Sequence, residues 1–459
     1  MAESSQTFKP PEPPSPRLQR RVLSAAFFGS LIEWFDFYLY GTAASVVFNV
    51  LFFPEFDPLV GVLASFAVLG AGFLLRPLGG IIWGHFGDRL GRKNALVTSI
   101  LLMGVSTFLV GLLPTYDQVG LWAAVLLVLL RVAQGLAAGG EWGGSIVLTV
   151  EYAPEGRRGL WSSATPLGMG VGIMLATACM GLVALLPEDQ FLTWGWRAPF
   201  LASIVLVVLG VWIRLGIVES PIFRMEQQRR RSHDEEGPKA APLMKLLRNH
   251  PGKTTLATLI AIGPFAASTI YGTFCLSYAV QLGYERSTAL FASTVGSVVV
   301  FAYPVIAILT DRVGRRPVYM IAGVAQGLWA FPMFWMFNSI SVPLLYLGWI
   351  MIVVLHGVMY LPVNTILGET FPTDVRYTGT SFTYQVAGAI SGAFVPSICA
   401  GLLILGGGVP HVWWVAVLLF ATSIMGVIAA YYSKETYRIS LTEQSGVAEE
   451  SRPSQEVPG

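Results

Sequence analysis

The chain has 459 residues, of which 54% are hydrophobic and only 12% charged, and its mean hydropathy is +0.62. Soluble domains carry about 25% charged residues, so a water-soluble enzyme of this size is excluded, as are disordered, collagen-like and disulfide-stapled chains. A net charge of +2 gives no electrostatic case for nucleic acid, and Cys179, Cys275 and Cys399 all lie in apolar stretches.

The Pro-rich stretch 1–20 is expected to be a disordered tail that leads straight into a full-length span, with no small-residue cleavage site. A membrane helix needs about 20 mostly apolar residues. Such segments recur near 22–50, 58–84, 94–113, 119–150, 160–186 and 196–216, and again near 253–281, 287–309, 317–337, 342–366, 379–404 and 409–432. This pattern predicts an all-α membrane protein with twelve transmembrane helices. Residues 21–216 form a first six-helix bundle and 253–433 a second, joined by the polar linker 217–252; the stretch 434–459 is expected to be a second disordered tail. An even number of spans puts both termini on one side. Of the 29 Lys and Arg residues, 25 fall in the tails and in the loops on that side, and only Arg197 and Arg286 in loops on the other. By the positive-inside rule the termini are cytoplasmic.

The two halves repeat. Gly87-Asp88-Arg89-Leu90-Gly91-Arg92 follows the second span and Asp311-Arg312-Val313-Gly314-Arg315 follows the eighth, with Asp88 and Asp311 223 residues apart. Glu151 with Arg158 after the fourth span matches Glu369 with Arg376 after the tenth, at an offset of 218. Two landmarks at nearly one offset indicate a parallel six-plus-six duplication, the pattern of a secondary transporter with its site between the halves.

Several stretches make the resemblance specific. The Gly-Asp-Arg-x-Gly-Arg loop is similar to the signature of the major facilitator superfamily. Glu33-Trp34-Phe35-Asp36-Phe37-Tyr38, Arg76-Pro77-Leu78-Gly79-Gly80, Gly84-His85-Phe86-Gly87-Asp88-Arg89, Gln134-Gly135 with Gly139-Gly140-Glu141-Trp142-Gly143-Gly144, and Trp194-Gly195-Trp196-Arg197 resemble its metabolite:proton symporter branch. That branch includes shikimate, α-ketoglutarate and proline/betaine carriers. Over roughly residues 20–435 the resemblance implies the major facilitator fold, with two pseudo-symmetric bundles and alternating access.

Five charges lie well inside spans, away from their ends: Glu33, Asp36, Arg76, Arg131 and Glu141. Each costs about 2.5–3.5 kcal/mol at the bilayer centre, so they must face the interior and find partners. Asp36 and Arg131 both fall near mid-depth. They look equivalent to the helix-1 acid and helix-4 arginine that couple protons in sugar:proton members of the superfamily. Asp36 is therefore the expected proton acceptor, with Arg131 as its partner and Glu33, three residues away on the same helical face, as a second titrating group or part of the pairing; the alternative is a static ion pair. Arg76 could bind a substrate carboxylate through its planar fork, or pair with Glu141 or Glu33. Tyr40, Gln134, Tyr271, Tyr278, Asn364 and Gln385, with Glu141, are further candidate substrate contacts, and His356 and Tyr384 are deep polar residues of the second half.

Gly84, Asp88, Arg89, Gly91, Arg92, Glu151 and Arg158, with Asp311, Arg315, Glu369 and Arg376 in the second half, resemble the family's cytoplasmic gate; simple retention of positive charge inside is the alternative, but it would not require the acid–base spacing to recur in both halves. Gly135-x3-Gly139, Gly168-x3-Gly172 and Gly388-x3-Gly392 are small-residue packing seams. Gly252-Lys253-Thr254 lacks the upstream glycine and strand of a phosphate loop, so ATP drive is unsupported. Metal-ligand and nucleophile signatures are absent, and no cofactor is expected. The expectation is a proton-gradient-driven symporter of the bacterial inner membrane, monomeric, importing a small organic anion such as a mono- or dicarboxylate. The competing readings are uptake of a zwitterionic osmolyte such as proline or betaine, and an uncoupled facilitator. Its partners are the substrate, protons and the lipid bilayer, with no nucleic acid.

Overall fold

The computed structural model describes residues 16–80, 82–83, 92–139, 142–151, 153–154, 156–215, 242–372 and 375–437. Among these residues every regular element is a helix. The spans are α1 (Pro16–Val46), α2 (Pro58–Gly80), α3 (Arg92–Gly111), α4 (Trp122–Ala138), α5 (Arg158–Val183) and α6 (Arg197–Leu215) in the first half. In the second half they are α7 (Pro251–Gln281), α8 (Arg286–Val313), α9 (Arg315–Asn338), α10 (Val342–Thr370), α11 (Arg376–Leu405) and α12 (Trp413–Tyr432). Ten are long and apolar enough to cross a bilayer, and α3 and α4 supply two shorter apolar helices. A helix Trp142–Glu151 follows α4 on the same side as the termini.

The duplication is visible in the packing. α1 packs on α5 and α6, α3 on α4 and α6, and α2 on α4; in the second half α7 packs on α11 and α12, α9 on α10 and α12, and α8 on α10. The halves meet through α2 against α11 and α5 against α8, which exchange under the same two-fold relation. Outward faces carry Leu129, Val205, Val208, Val305, Ile321 and Leu328, the apolar surface that a hydrocarbon solvent requires.

Close packing depends on glycine in the first half. A Cβ on Gly135 or Gly139 of α4 would collide with the backbone of α2, and one on Gly168 or Gly172 of α5 with the backbone of α1. Backbones approach this closely only where no side chain intervenes. The third seam differs: Gly388 and Gly392 of α11 receive the rings of Phe265 and Phe73.

The ends of the domains differ from the sequence expectation. α1 begins at Pro16, inside the stretch read as an N-terminal tail. A short helix, Pro242–Asn249, occupies the end of the linker, with Leu246 fully buried. Glu435, in the stretch read as a disordered C-terminal tail, accepts hydrogen bonds from the backbone N–H groups of Arg315 (3.2 Å) and Arg316 (3.0 Å) and so caps α9. Gly314 makes the one-residue turn between α8 and α9 with φ +112°, a conformation that suits glycine. Most of the linker and the remainder of both tails lie outside the described residues.

Candidate transport site and gate

Four of the five predicted span charges are described, and all are buried: Glu33 and Asp36 are 1% exposed, Arg76 and Arg131 0%. Glu141 lies outside the described residues. α1 brings Glu33 within 3.0 Å of the Arg76 guanidinium, which makes one of the two ion pairs considered for Arg76. The predicted partnership of Asp36 and Arg131 is not made as an ion pair. Asp36 is faced by the Thr107 hydroxyl, by Arg131 and by Glu33, and makes no ion pair with either arginine of the cluster. Arg131 instead donates through Nη1 to Gln134 (3.1 Å), whose own amide donates to Thr107 (2.7 Å), and its Nη2 has no partner. The physical reason is aromatic. Both guanidiniums lie over the Phe37 ring, Arg76 at 3.8 Å and Arg131 at 4.2 Å from the centroid, and Arg131 also covers Tyr40 at 4.5 Å. Cation–π contact and the Gln134 bridge hold Arg131 in place of the carboxylate.

Rings join this charged cluster to the second half. Trp34 lies beside Arg76 and stacks on Phe265 of α7 (centroids 6.1 Å apart), which meets Tyr384 of α11 edge-on at 4.7 Å. Tyr384 stacks on Trp142 with 8° between planes and shares a hydroxyl–hydroxyl hydrogen bond of 2.9 Å with Tyr360 of α10. Tyr360 stacks on His356, which meets Tyr271 edge-on at 5.2 Å. His356, Tyr360 and Asn364 are spaced by four and share one face of α10. Gln385 donates across the halves to the carbonyl of Gly139 (3.1 Å). Tyr271 sits where α7 widens into a turn of i→i+5 bonding at Ile270–Phe274, a local irregularity that often marks functional positions in helices. Tyr278 is elsewhere: its hydroxyl donates to Asn338 and to the Pro410 carbonyl near the far end of α9. The ring cluster was missed as a unit. Only the four-residue spacing of His356, Tyr360 and Asn364 pointed to it in the sequence.

The halves touch at both ends of this interior. On the side of the termini, Asp311 accepts hydrogen bonds from the backbone N–H groups of Gly159 (2.9 Å) and Leu160 (3.0 Å), which places a carboxylate at the start of α5. Arg315 bridges Asp311 (3.0 Å) and Glu369 (3.5 Å), and Arg158 reaches Glu369 across the halves at 3.7 Å. Sequence symmetry matched Glu151 and Arg158 as a motif with Glu369 and Arg376; the structure brings Arg158 of the first motif to Glu369 of the second. Arg376 donates to the Phe371 carbonyl at 3.2 Å, at the turn between α10 and α11. Arg92 opens α3 and Glu151 ends the helix after α4, with their side chains undescribed, and Gly84, Asp88, Arg89 and Gly91 lie outside the described residues. On the opposite side, among the described residues, the ion pair Glu188–Arg286 at 3.0 Å links the halves, with Thr294 donating to Thr177 (3.1 Å) beneath it. Contacts at both ends leave the charged and aromatic cluster enclosed.

Twelve apolar helices in two-fold-related halves, closed over buried charge, define a multi-pass membrane transporter and not an enzyme. The chain belongs to the Major Facilitator Superfamily, which it matches over residues 26–396. It is 39% identical over 423 residues to the shikimate transporter of Escherichia coli (strain K12), an alignment covering 91% of this chain and 95% of that one. It is 31% identical over 447 residues to the proline/betaine transporter of the same strain, covering 95% and 88%. A D-xylose–proton symporter shares the fold with a TM-score of 0.72 at 17% identity, over 93% of this chain and 99% of that one.

Proposed function

We propose that this transporter is a proton-coupled symporter that brings a small organic acid across the bacterial inner membrane into the cell, with both termini cytoplasmic. One observation carries the reading: a buried carboxylate, Asp36, that makes no ion pair faces a buried guanidinium, Arg131, with one nitrogen unbonded. An isolated charge in such a place costs several kcal/mol. A proton on Asp36 removes it and leaves Arg131 available to a substrate carboxylate. When the proton leaves, the Asp36 carboxylate competes for the same guanidinium and the substrate is released. Coupling then needs one cation and two rival anions, while Glu33 keeps Arg76 neutralised nearby. The names of the shikimate and D-xylose–proton relatives support the substrate class and the driving ion respectively. The excess of basic residues on the terminus side supports the orientation.

In proteoliposomes, D36N is expected to lose proton-driven accumulation while retaining substrate counterflow, and a protonophore to collapse wild-type uptake. Accumulation by D36N at the wild-type level, or wild-type uptake that ignores the protonophore, would identify an uncoupled facilitator instead.

A further inference from the structure

The charged cluster accounts for a carboxylate, but the other side of the enclosed interior has polar groups the coupling cycle does not use. Asn364 on α10 is fully buried with both its amide nitrogen and its amide oxygen unbonded. Gln385 spends its nitrogen on Gly139 and leaves its oxygen without a partner. His356 has neither ring nitrogen bonded, and the indole N–H groups of Trp34 and Trp142 are likewise buried and unbonded. Unlike Trp196, Trp329 and Trp349, whose indoles are also unbonded, Trp34, Trp142 and His356 belong to the ring cluster that spans the two halves.

Two features of this set select a ligand. First, it is mixed: the indoles donate, the Gln385 oxygen accepts, and the Asn364 amide and a neutral imidazole do both. A hydroxyl group, which both donates and accepts, satisfies such a set; a quaternary ammonium satisfies none of it. Second, the rings of this cluster each already have one face taken by a neighbour. Trp142 lies on Tyr384, Tyr360 on His356 and Trp34 on Phe265, while Phe37 carries the two arginines. The polar groups of this set are neutral, and Arg76 is paired with Glu33, so among the described residues of the cluster Arg131 is the cation without an ion pair.

We infer that the substrate is a hydroxylated monocarboxylate, its carboxylate on Arg131 and its hydroxyls on Asn364, Gln385, His356 and the indoles of Trp34 and Trp142, and that these neutral residues set specificity against deoxygenated acids, dicarboxylates and betaines. This rests on the organic-acid reading above and not on proton coupling. A site built to bond hydroxyls discriminates strongly against analogues lacking them, because its buried groups are then left unpaired.

Counterflow in proteoliposomes, with no proton gradient imposed, tests it. The probes are shikimate as a trihydroxylated cyclic monocarboxylate, cyclohexene-1-carboxylate as its deoxygenated counterpart, succinate and glycine betaine. Shikimate is expected to exchange with an apparent affinity at least about tenfold better than the deoxygenated acid, and succinate and betaine not to exchange. N364L and Q385L, each checked for a wild-type elution profile on size exclusion, are expected to shrink that ratio several-fold by weakening shikimate alone. Equal affinity for the two cyclic acids, exchange of betaine or succinate in preference to shikimate, or an unchanged ratio in both variants would overturn the inference. Because wild-type ratios carry the main result, it stands or falls even where a variant does not fold. A hydroxyl preference with uptake indifferent to a protonophore would remove the coupling and leave this inference intact.

Discussion

At the terminus side of the molecule the halves are joined by Arg158, Asp311, Arg315 and Glu369, with Arg315 and Glu369 almost wholly buried and two backbone N–H groups of α5 drawn in. At the opposite side they are joined by Glu188 and Arg286, whose side chains are 70% and 25% exposed. The same kind of chemistry therefore works in two media. Exposed ion pairs contribute about 0–1 kcal/mol because water and salt screen them. Breaking a buried pair by removing one partner costs about 3–5 kcal/mol, since the remaining charge is stranded. An enclosed arrangement held by these two closures opens more readily at the Glu188–Arg286 end.

Three substitutions put that comparison under stress, from the strongest effect to the weakest. Arg315→Ala removes the cation that bridges Asp311 and Glu369, leaving Asp311 its two backbone N–H donors and Glu369 the longer contact with Arg158; about 3 kcal/mol of closure is expected to be lost. Thiol labelling of a cysteine introduced in the interior should then proceed from the terminus side, with transport falling more than about tenfold. Labelling still confined to the opposite side would show that Arg315 does not hold the closure. Asp311→Asn keeps an acceptor but removes the charge at the start of α5, for an expected loss of about 1–2 kcal/mol. Its signature is a partial shift in the same labelling assay, intermediate between wild type and Arg315→Ala. Glu188→Ala removes only the exposed pair: transport should stay within about twofold of wild type and become less sensitive to ionic strength. A tenfold loss there would mean that the two ends are held alike.

Much of this architecture is readable from the amino acids. The twelve spans, their division into halves and the burial of the span charges follow from hydrophobic length and from the free energy of placing charge in hydrocarbon. Pairing is less readable, because it depends on helix rotation and depth to within a side-chain length. Glu33 and Asp36 share a helical face, yet one reaches Arg76 and the other does not reach Arg131, which is detained by Phe37, Tyr40 and Gln134. Internal repeats show which motifs correspond, Glu151 and Arg158 with Glu369 and Arg376, and not which residues touch. The contact of Arg158 with Glu369 spans the two halves and carries no periodicity to announce it. Tyr278 shows the converse: a deep tyrosine satisfied by a carbonyl and an amide in its own half.

The glycine seams also determine what moves against what. Gly135 and Gly139 fuse α4 to α2, so Arg131 and Arg76 ride on one rigid plate. Gly168 and Gly172 fuse α5 to α1, so Asp36 and Glu33 ride on another. Among the described residues, the two cations of this cluster thus sit on one slab and its two acids on the neighbour. A slip between slabs, smaller than one helical turn, re-pairs every charge at once, and no single side chain needs to travel alone.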